Sequence, residues 1–146
     1  MFDAVNKHVR NCDILVMCAA VADYKPAKVS KSKIKKRGEN ISLDLVPTRD
    51  ILQSLPRDRQ YLVVGFAAET ENVEKNANKK LHEKHCDIVV ANNALIGMEG
   101  DENEVAILFR DGETKRISRA SKKIISRDLV ETFENYFEKR LTKKTQ

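Results

Sequence analysis

"YLVVGFAAETENVEKNANKKLHEKHCDIVVANN", residues 61–93, decides the fold. An apolar run ends in the small residues Ala67 and Ala68 and an acid, Glu69. In the charged segment after it, Val73, Ala77 and Leu81 recur at i, i+4 and i+8, the spacing of one helical face. A second apolar run then ends on Asn92 and Asn93. Continuous apolar runs suit strands covered on both faces. Strand, helix, strand in that order implies two parallel strands joined by a crossover helix.

Upstream the same pattern recurs. "DILVMCAA", residues 13–20, reads as a further strand covered on both faces, with Cys18 inside it as a small hydrophobe. Before it, "FDAVNKHVRN" reads as a short amphipathic helix with Phe2, Val5 and Val9 on one side. Residues 24–38 read as a loop anchored by Val29 and Ile34. "NISLDLVP", residues 40–47, alternates Ile41, Leu43 and Leu45 against Ser42 and Asp44, the period of a half-buried strand. "TRDILQSL" reads as a short helix capped by Thr48.

Downstream, past an irregular stretch around "GMEGDEN", "EVAILFR" and "ETKRIS" flank an Asp-Gly turn and predict a hairpin. A last helix opens at Ser121, with Ile125, Leu129, Phe133, Tyr136 and Phe137 inward, before a frayed basic tail over 139–146. The expected fold class is α/β: an open, mostly parallel Rossmann-like sheet with helices on both faces and an appended antiparallel hairpin. With 146 residues and 41% hydrophobic content, residues 1–146 are expected to form one domain.

The net charge of +5 favours anionic ligands. Seven positive charges and no acid fall in residues 25–37. Eight aromatics and no Trp argue against nucleic-acid binding, for which a broad basic face with interleaved aromatics is the usual sign. Three widely separated cysteines, Cys12, Cys18 and Cys86, point to a reducing compartment. The longest apolar run, "ILVMCAAVA", falls short of a membrane span. A cytoplasmic protein without membrane partners is expected.

In such sheets ligands gather beyond the carboxyl ends of the strands. Those ends are 19–23, 65–69 and 91–93, each rich in small residues with a polar group at the rim. Small residues there either admit a ligand or pack helix on strand. Lys80 and Lys84, four apart on one helix, repel weakly unless an anion lies between them, and otherwise form a solvated face. The lysine loop "KSKIKK", residues 31–36, is either solvated or a cationic flap over phosphates. "HEKHC" brings His82, His85 and Cys86 close in sequence but lacks a second ligand group, so no metal cage is expected. No glycine-rich phosphate loop is present.

"AAVADYKP", "KSKIKK", "VGFAAET", "NKKLHEKHCDIVVAN" and "NEVAIL", in that order, resemble the phosphopantothenoylcysteine synthetases, in their bacterial CTP-using form. The resemblance implies a ligase of coenzyme A biosynthesis. The carboxylate of 4′-phosphopantothenate attacks the α-phosphate of CTP, with Mg²⁺ on the phosphates, giving an acyl-cytidylate and pyrophosphate. The amine of L-cysteine then displaces CMP. It further implies a homodimer, with "ISLDLVP" and the late hairpin as contact elements, and in many bacteria fusion to a flavin-dependent phosphopantothenoylcysteine decarboxylase. Position by position, Lys33 matches a flap lysine with a catalytic role in charge stabilisation. Ala20, Asp23, Arg49, Asp50, Ile51, Leu52, Phe66, Lys80, Lys84 and Asn92 match the nucleotide site. "RDIL" stands where the family usually has "PDIL". The family's first strand, glycine-rich loop and an asparagine lie upstream of this sequence's start. The chain is therefore expected to be part of a longer protein and feeble as a ligase alone. A non-enzymatic nucleotide-binding or regulatory module is the alternative, and a nucleic-acid-binding domain using the lysine loop is a third reading.

Overall fold

Eight residues, β4 (Leu62–Glu69), form the strand around which the chain is arranged. Leu62, Val63 and Val64 are fully buried because both faces of this strand are covered. The computed structural model describes residues 1–36, 38, 40–94 and 100–144. β4 pairs in parallel with β1 (Ile14–Met17) on one side and β5 (Ile88–Asn93) on the other. Beyond β5 come β6 (Glu102–Phe109), antiparallel to it, and β7 (Thr114–Ser121), giving the order β1-β4-β5-β6-β7. The Asp-Gly turn holds, with Gly112 at φ 93° in the left-handed region its missing Cβ allows.

Helices cover both faces, as expected. On one, α2 (Val73–Glu83) lays Ala77 and Leu81 over Val63, Ala67, Val89 and Ala91, joined by Val5 of α1 (Phe2–His8) and by Val9. On the other, α3 (Lys122–Lys144) packs Ile125, Leu129 and Phe133 against Val64, Ile88, Val90 and Ile107. Each such side chain contributes about 1.5–3 kcal/mol on burial. Ser121 caps α3, its Oγ accepting from the Ile124 amide at 3.4 Å.

α2 ends in a Schellman motif. His85, at φ 52°, donates its amide to the His82 carbonyl at 3.2 Å, and Cys86 donates to Leu81 at 3.0 Å. The chain thereby reverses within two residues and starts β5 under the helix. Gly65 suits this crossing, since a Cβ there would sit 3.1 Å from the Cys86 Sγ and the thiol would have to give by a few tenths of an ångström.

Several expectations are corrected. β1 stops at Met17 and lies at the sheet edge, so Val16 is exposed and Cys18 is an exposed residue beyond the strand, not a core one. Residues 24–38 are not all loop. Tyr24–Pro26 forms β2, antiparallel to β3 (Leu45–Pro47), in a two-stranded arm apart from the main sheet. Because the arm packs on neither core, Ile41, Leu43 and Leu45 are exposed, and Val29 and Ile34 are 83% and 59% exposed instead of anchoring the loop.

Residues 50–55 form turns, not the helix expected over 48–55. Thr48 donates its hydroxyl to the Ala22 carbonyl at 2.6 Å, and it is Asp50 that accepts from an amide, that of Gln53, at 2.9 Å. α3 runs on to Lys144, so the basic tail is helical that far and not frayed. Of the irregular stretch expected over "GMEGDEN", residues 97–103, positions 97–99 lie outside the described residues, and Glu102 and Asn103 already belong to β6.

Candidate functional site

Where β1 ends, its chain turns out over the sheet edge, and the arm's base returns beside it. The Thr48 amide donates to the Asp23 carbonyl at 2.7 Å and fixes this junction. Between the junction, the end of β4 and the side of α2 opens a cavity of about 470 Å³. Its walls include Asp23, Asp50, Ile51, Leu52, Phe66, Lys80 and Lys84, seven of the residues singled out in the sequence. Segments distant along the chain therefore share one hollow near the carboxyl end of a parallel strand, the position such folds use for ligands.

The two lysines are held differently. Lys80 donates to the Phe66 carbonyl oxygen at 2.5 Å. Lys84 pairs with the Asp50 carboxylate, whose other oxygen takes the Gln53 amide. Burial pushes the Asp50 carboxyl upward in pKa, but the Gln53 hydrogen bond, the Lys84 partner and the charge of Lys80 outweigh it, and the net direction is down. The charged walls are thus two aspartates and two lysines, a balanced set.

The remaining residues lie elsewhere. Ala20 is exposed between two wall residues, Ala19 and Val21. Arg49 stacks its guanidinium 5.2 Å from the Phe2 ring centroid. Asn92 lines a second hollow of about 310 Å³ beside the Glu74–Arg116 ion pair. Lys33 lies in a third hollow with Ser30, Ile34, Asn40 and Ile41.

Nothing in the sequence marks Met17, Tyr24, Pro47 or Thr48 as wall residues: Met17 ends the apolar run of β1, and the other three come there through the pairing of the arm and its junction. The link between Asp50 and Lys84 has no local signal either, because they stand 34 positions apart.

"HEKHC" does not converge. His82 is exposed, whereas Cys86 is buried in the core with its thiol pushed up to about 11, chiefly by burial. Among the described residues no three His, Cys, Asp or Glu side chains cluster as metal ligands. No described helix is long and apolar enough to cross a membrane.

Residues 1–136 match the family described as the DNA/pantothenate metabolism flavoprotein C-terminal domain. The chain belongs to that family. Among curated relatives, it is 39% identical over 128 residues to the coenzyme A biosynthesis bifunctional protein CoaBC of Haemophilus influenzae, a match covering 84% of this chain and 32% of that protein. The Bacillus subtilis CoaBC is 38% identical over 123 residues, covering 82% of this chain and 30% of its own length. The chain thus spans about a third of the length of the curated relatives it matches.

Of solved structures, the C-terminal domain of a CoaBC superposes with a TM-score of 0.75 at 34% identity, covering 94% of this chain and 61% of that one. A Cab2 mutant in complex with phosphopantothenate-cysteine gives a TM-score of 0.75 at 16% identity, covering 98% and 51%. That second likeness is one of fold.

Proposed function

We propose that this family member carries the ligase step of coenzyme A synthesis, joining 4′-phosphopantothenate to L-cysteine at the expense of CTP. The observation that carries the reading is the shared cavity, in which Asp23, Phe66, Lys80 and Lys84 meet at the end of β4. The pantothenate carboxylate attacks the α-phosphate of CTP and releases pyrophosphate. The cysteine amine then attacks the acyl carbon, loses a proton, and expels CMP. Lys80 and Lys84 bind phosphate oxygens, and Phe66 and the 49–52 turn border the base.

The balanced charge of the walls has a consequence. A triphosphate needs positive charge beyond what the cavity walls supply, and Lys33 and its neighbours on residues 31–36 are a dense run of it. Closing that loop over the cavity would give Lys33 its charge-stabilising role. Mg²⁺ takes one or two carboxylates plus substrate phosphates. Asp23, a wall carboxylate without an ion-pair partner among the described residues, fits such a cation, which when bound screens the phosphate charge.

The exposed apolar side chains of the arm, Tyr24, Leu43, Leu45 and Val46 among them, suit coverage by a second copy of the chain. Fusion to a flavin-dependent decarboxylase, with which the word bifunctional in the relatives' name agrees, and a cytoplasmic location complete the reading. A pyrophosphate-release assay with CTP, 4′-phosphopantothenate and cysteine tests it, with ATP as the comparison. Release that requires CTP and 4′-phosphopantothenate, goes beyond one turnover only when cysteine is present, and favours CTP supports the ligase. Saturable CTP binding without release supports the second reading, a nucleotide-binding module, which the position of Lys33 outside the cavity favours.

A further inference from the structure

One wall of the cavity comes from residues 18–26, a segment exposed at every position and represented in neither core. Val21, Asp23 and Tyr24 reach the cavity from it. The opposite wall is anchored. Ile51 and Leu55 are each 5% exposed, and the Asp50 carboxylate takes the Gln53 amide. A carboxylate such as that of Asp23 can serve a ligand only when supporting groups hold its direction.

Thr48 joins the two sides. It stands two positions before Asp50, where the arm's return strand runs into the anchored turn. Its amide donates to the Asp23 carbonyl at 2.7 Å and its hydroxyl to the Ala22 carbonyl at 2.6 Å. The amide bond continues the β2–β3 ladder, and any residue but proline would supply it. The hydroxyl bond needs this side chain. The two carbonyls belong to the peptide groups on either side of the Asp23 Cα. With both held, the direction in which the Asp23 side chain leaves the backbone is set.

We propose that Thr48 is a positioning residue, whose hydroxyl holds the peptide ahead of Asp23 so that the Asp23 carboxylate faces a cation accompanying the phosphate ligand. This rests on reading the cavity as the CTP site with Asp23 toward Mg²⁺, and it deepens that reading by naming the residue that aims the carboxylate.

The test combines amide exchange with titration of CTP, on the wild type, Thr48→Val, Thr48→Ser, Asp23→Asn and Thr48→Val with Asp23→Asn. Thr48→Ala replaces the valine variant should that one fail to fold. In the ligand-free protein, the residue 48 amide is predicted to lose about threefold to tenfold in protection in Thr48→Val, the range of one net hydrogen bond. The Ala27 amide, bonded to the Asp44 carbonyl at 2.8 Å at the far end of the ladder, keeps its protection. Thr48→Ser matches the wild type at both. Thr48→Val binds CTP in EDTA as the wild type does, but loses a similar factor from the gain that Mg²⁺ brings. In the Asp23→Asn background the same substitution changes nothing further. A merely structural role would weaken binding alike in both conditions. Unchanged protection at residue 48, equal loss of protection at Ala27, equal loss of affinity with and without Mg²⁺, the same loss without the Asp23 carboxylate, or no Mg²⁺ gain in the wild type overturns the proposal. A wild type that binds no CTP defeats the ligase reading and this inference together, whereas the other failures strike the role of Thr48 and leave CTP binding standing.

Discussion

Lys80 donates to the carbonyl oxygen of Phe66 at 2.5 Å, tying a helix side chain to the backbone of the strand that borders the cavity. The bond places a positive charge at the end of β4 without a neutralising carboxylate of its own. Lys80 is therefore the wall cation most open to an anionic ligand, whereas Asp50 offsets the charge of Lys84.

Lys33 is the residue assigned to charge stabilisation in the proposed ligation, yet it is exposed on a loop. Replacing it with glutamine should leave the thermal midpoint within about 2 °C, because surface substitutions usually stay within about 0.5 kcal/mol. Pyrophosphate release by the intact enzyme should fall at least about a hundredfold, the scale of losing one preorganised charge partner. Unaltered turnover removes Lys33 from the mechanism.

Asp87 at the head of β5 is nearly buried and holds three elements together. Its carboxylate accepts from Arg59 at 2.9 Å and from the Val63 amide at 2.8 Å, and lies 3.1 Å from Arg140 of α3. Asp87→Ala leaves Arg59, with a side chain only 4% exposed, without its counter-charge. Urea unfolding should show a loss of about 3–5 kcal/mol. A loss below about 1 kcal/mol contradicts the assignment of this pair as a buried strut.

The three thiols should separate by reactivity. Cys86 is buried with its pKa pushed up to about 11, so at pH 8 it is almost wholly the unreactive thiol. Cys12 and Cys18 are exposed. Brief treatment of the native protein with iodoacetamide should modify two cysteines, and urea should reveal the third. Rapid labelling of Cys86 in the native state would mean that the contact between α2 and β4 opens freely.

The centre of the main sheet, β4 and β5, was legible because these strands are covered on both faces and their apolar runs are unbroken. The α2 stripe, the Asp-Gly turn and the inner face of α3 were equally plain. The arm was not. The alternation of Ile41, Leu43 and Leu45 has the strand period, but period alone does not say whether anything covers the face, and in this chain nothing described does. Its partner, Tyr24–Pro26, has no apolar pattern and pairs through backbone groups with a strand lying beyond the 18 residues 27–44 of the sequence. Asp50 takes the amide-accepting place expected of Thr48 because the chain passes through successive turns over residues 50–55 instead of forming a helix. Of the site, Asp23, Phe66, Lys80 and Lys84 were legible through the strand-end rule and the helical spacing of the lysines, whereas Asp50, Ile51 and Leu52 came only from the family resemblance. The Asp50–Lys84 pair is purely tertiary and left no trace in the local pattern.

Asp50 also links the site to acid stability. Its folded pKa lies below its ordinary value of 3.8, so the folded state holds the carboxylate ionised more firmly than the unfolded chain does. The contribution is present above that ordinary value and is lost as pH falls through the folded one. The thermal midpoint should therefore decline below about pH 4, and the Asp50→Asn curve should decline less steeply over that interval. Parallel curves would show that the pair contributes nothing to folding.

The most direct measurement is the titration of CTP into the protein and into Lys80→Met, with ATP as competitor. One saturable site, a preference for CTP, and a loss of at least about tenfold in affinity on removing Lys80, equal to about 1.4 kcal/mol, are the predicted results. Equal affinity of the two forms for CTP would contradict a polyphosphate site at the end of β4.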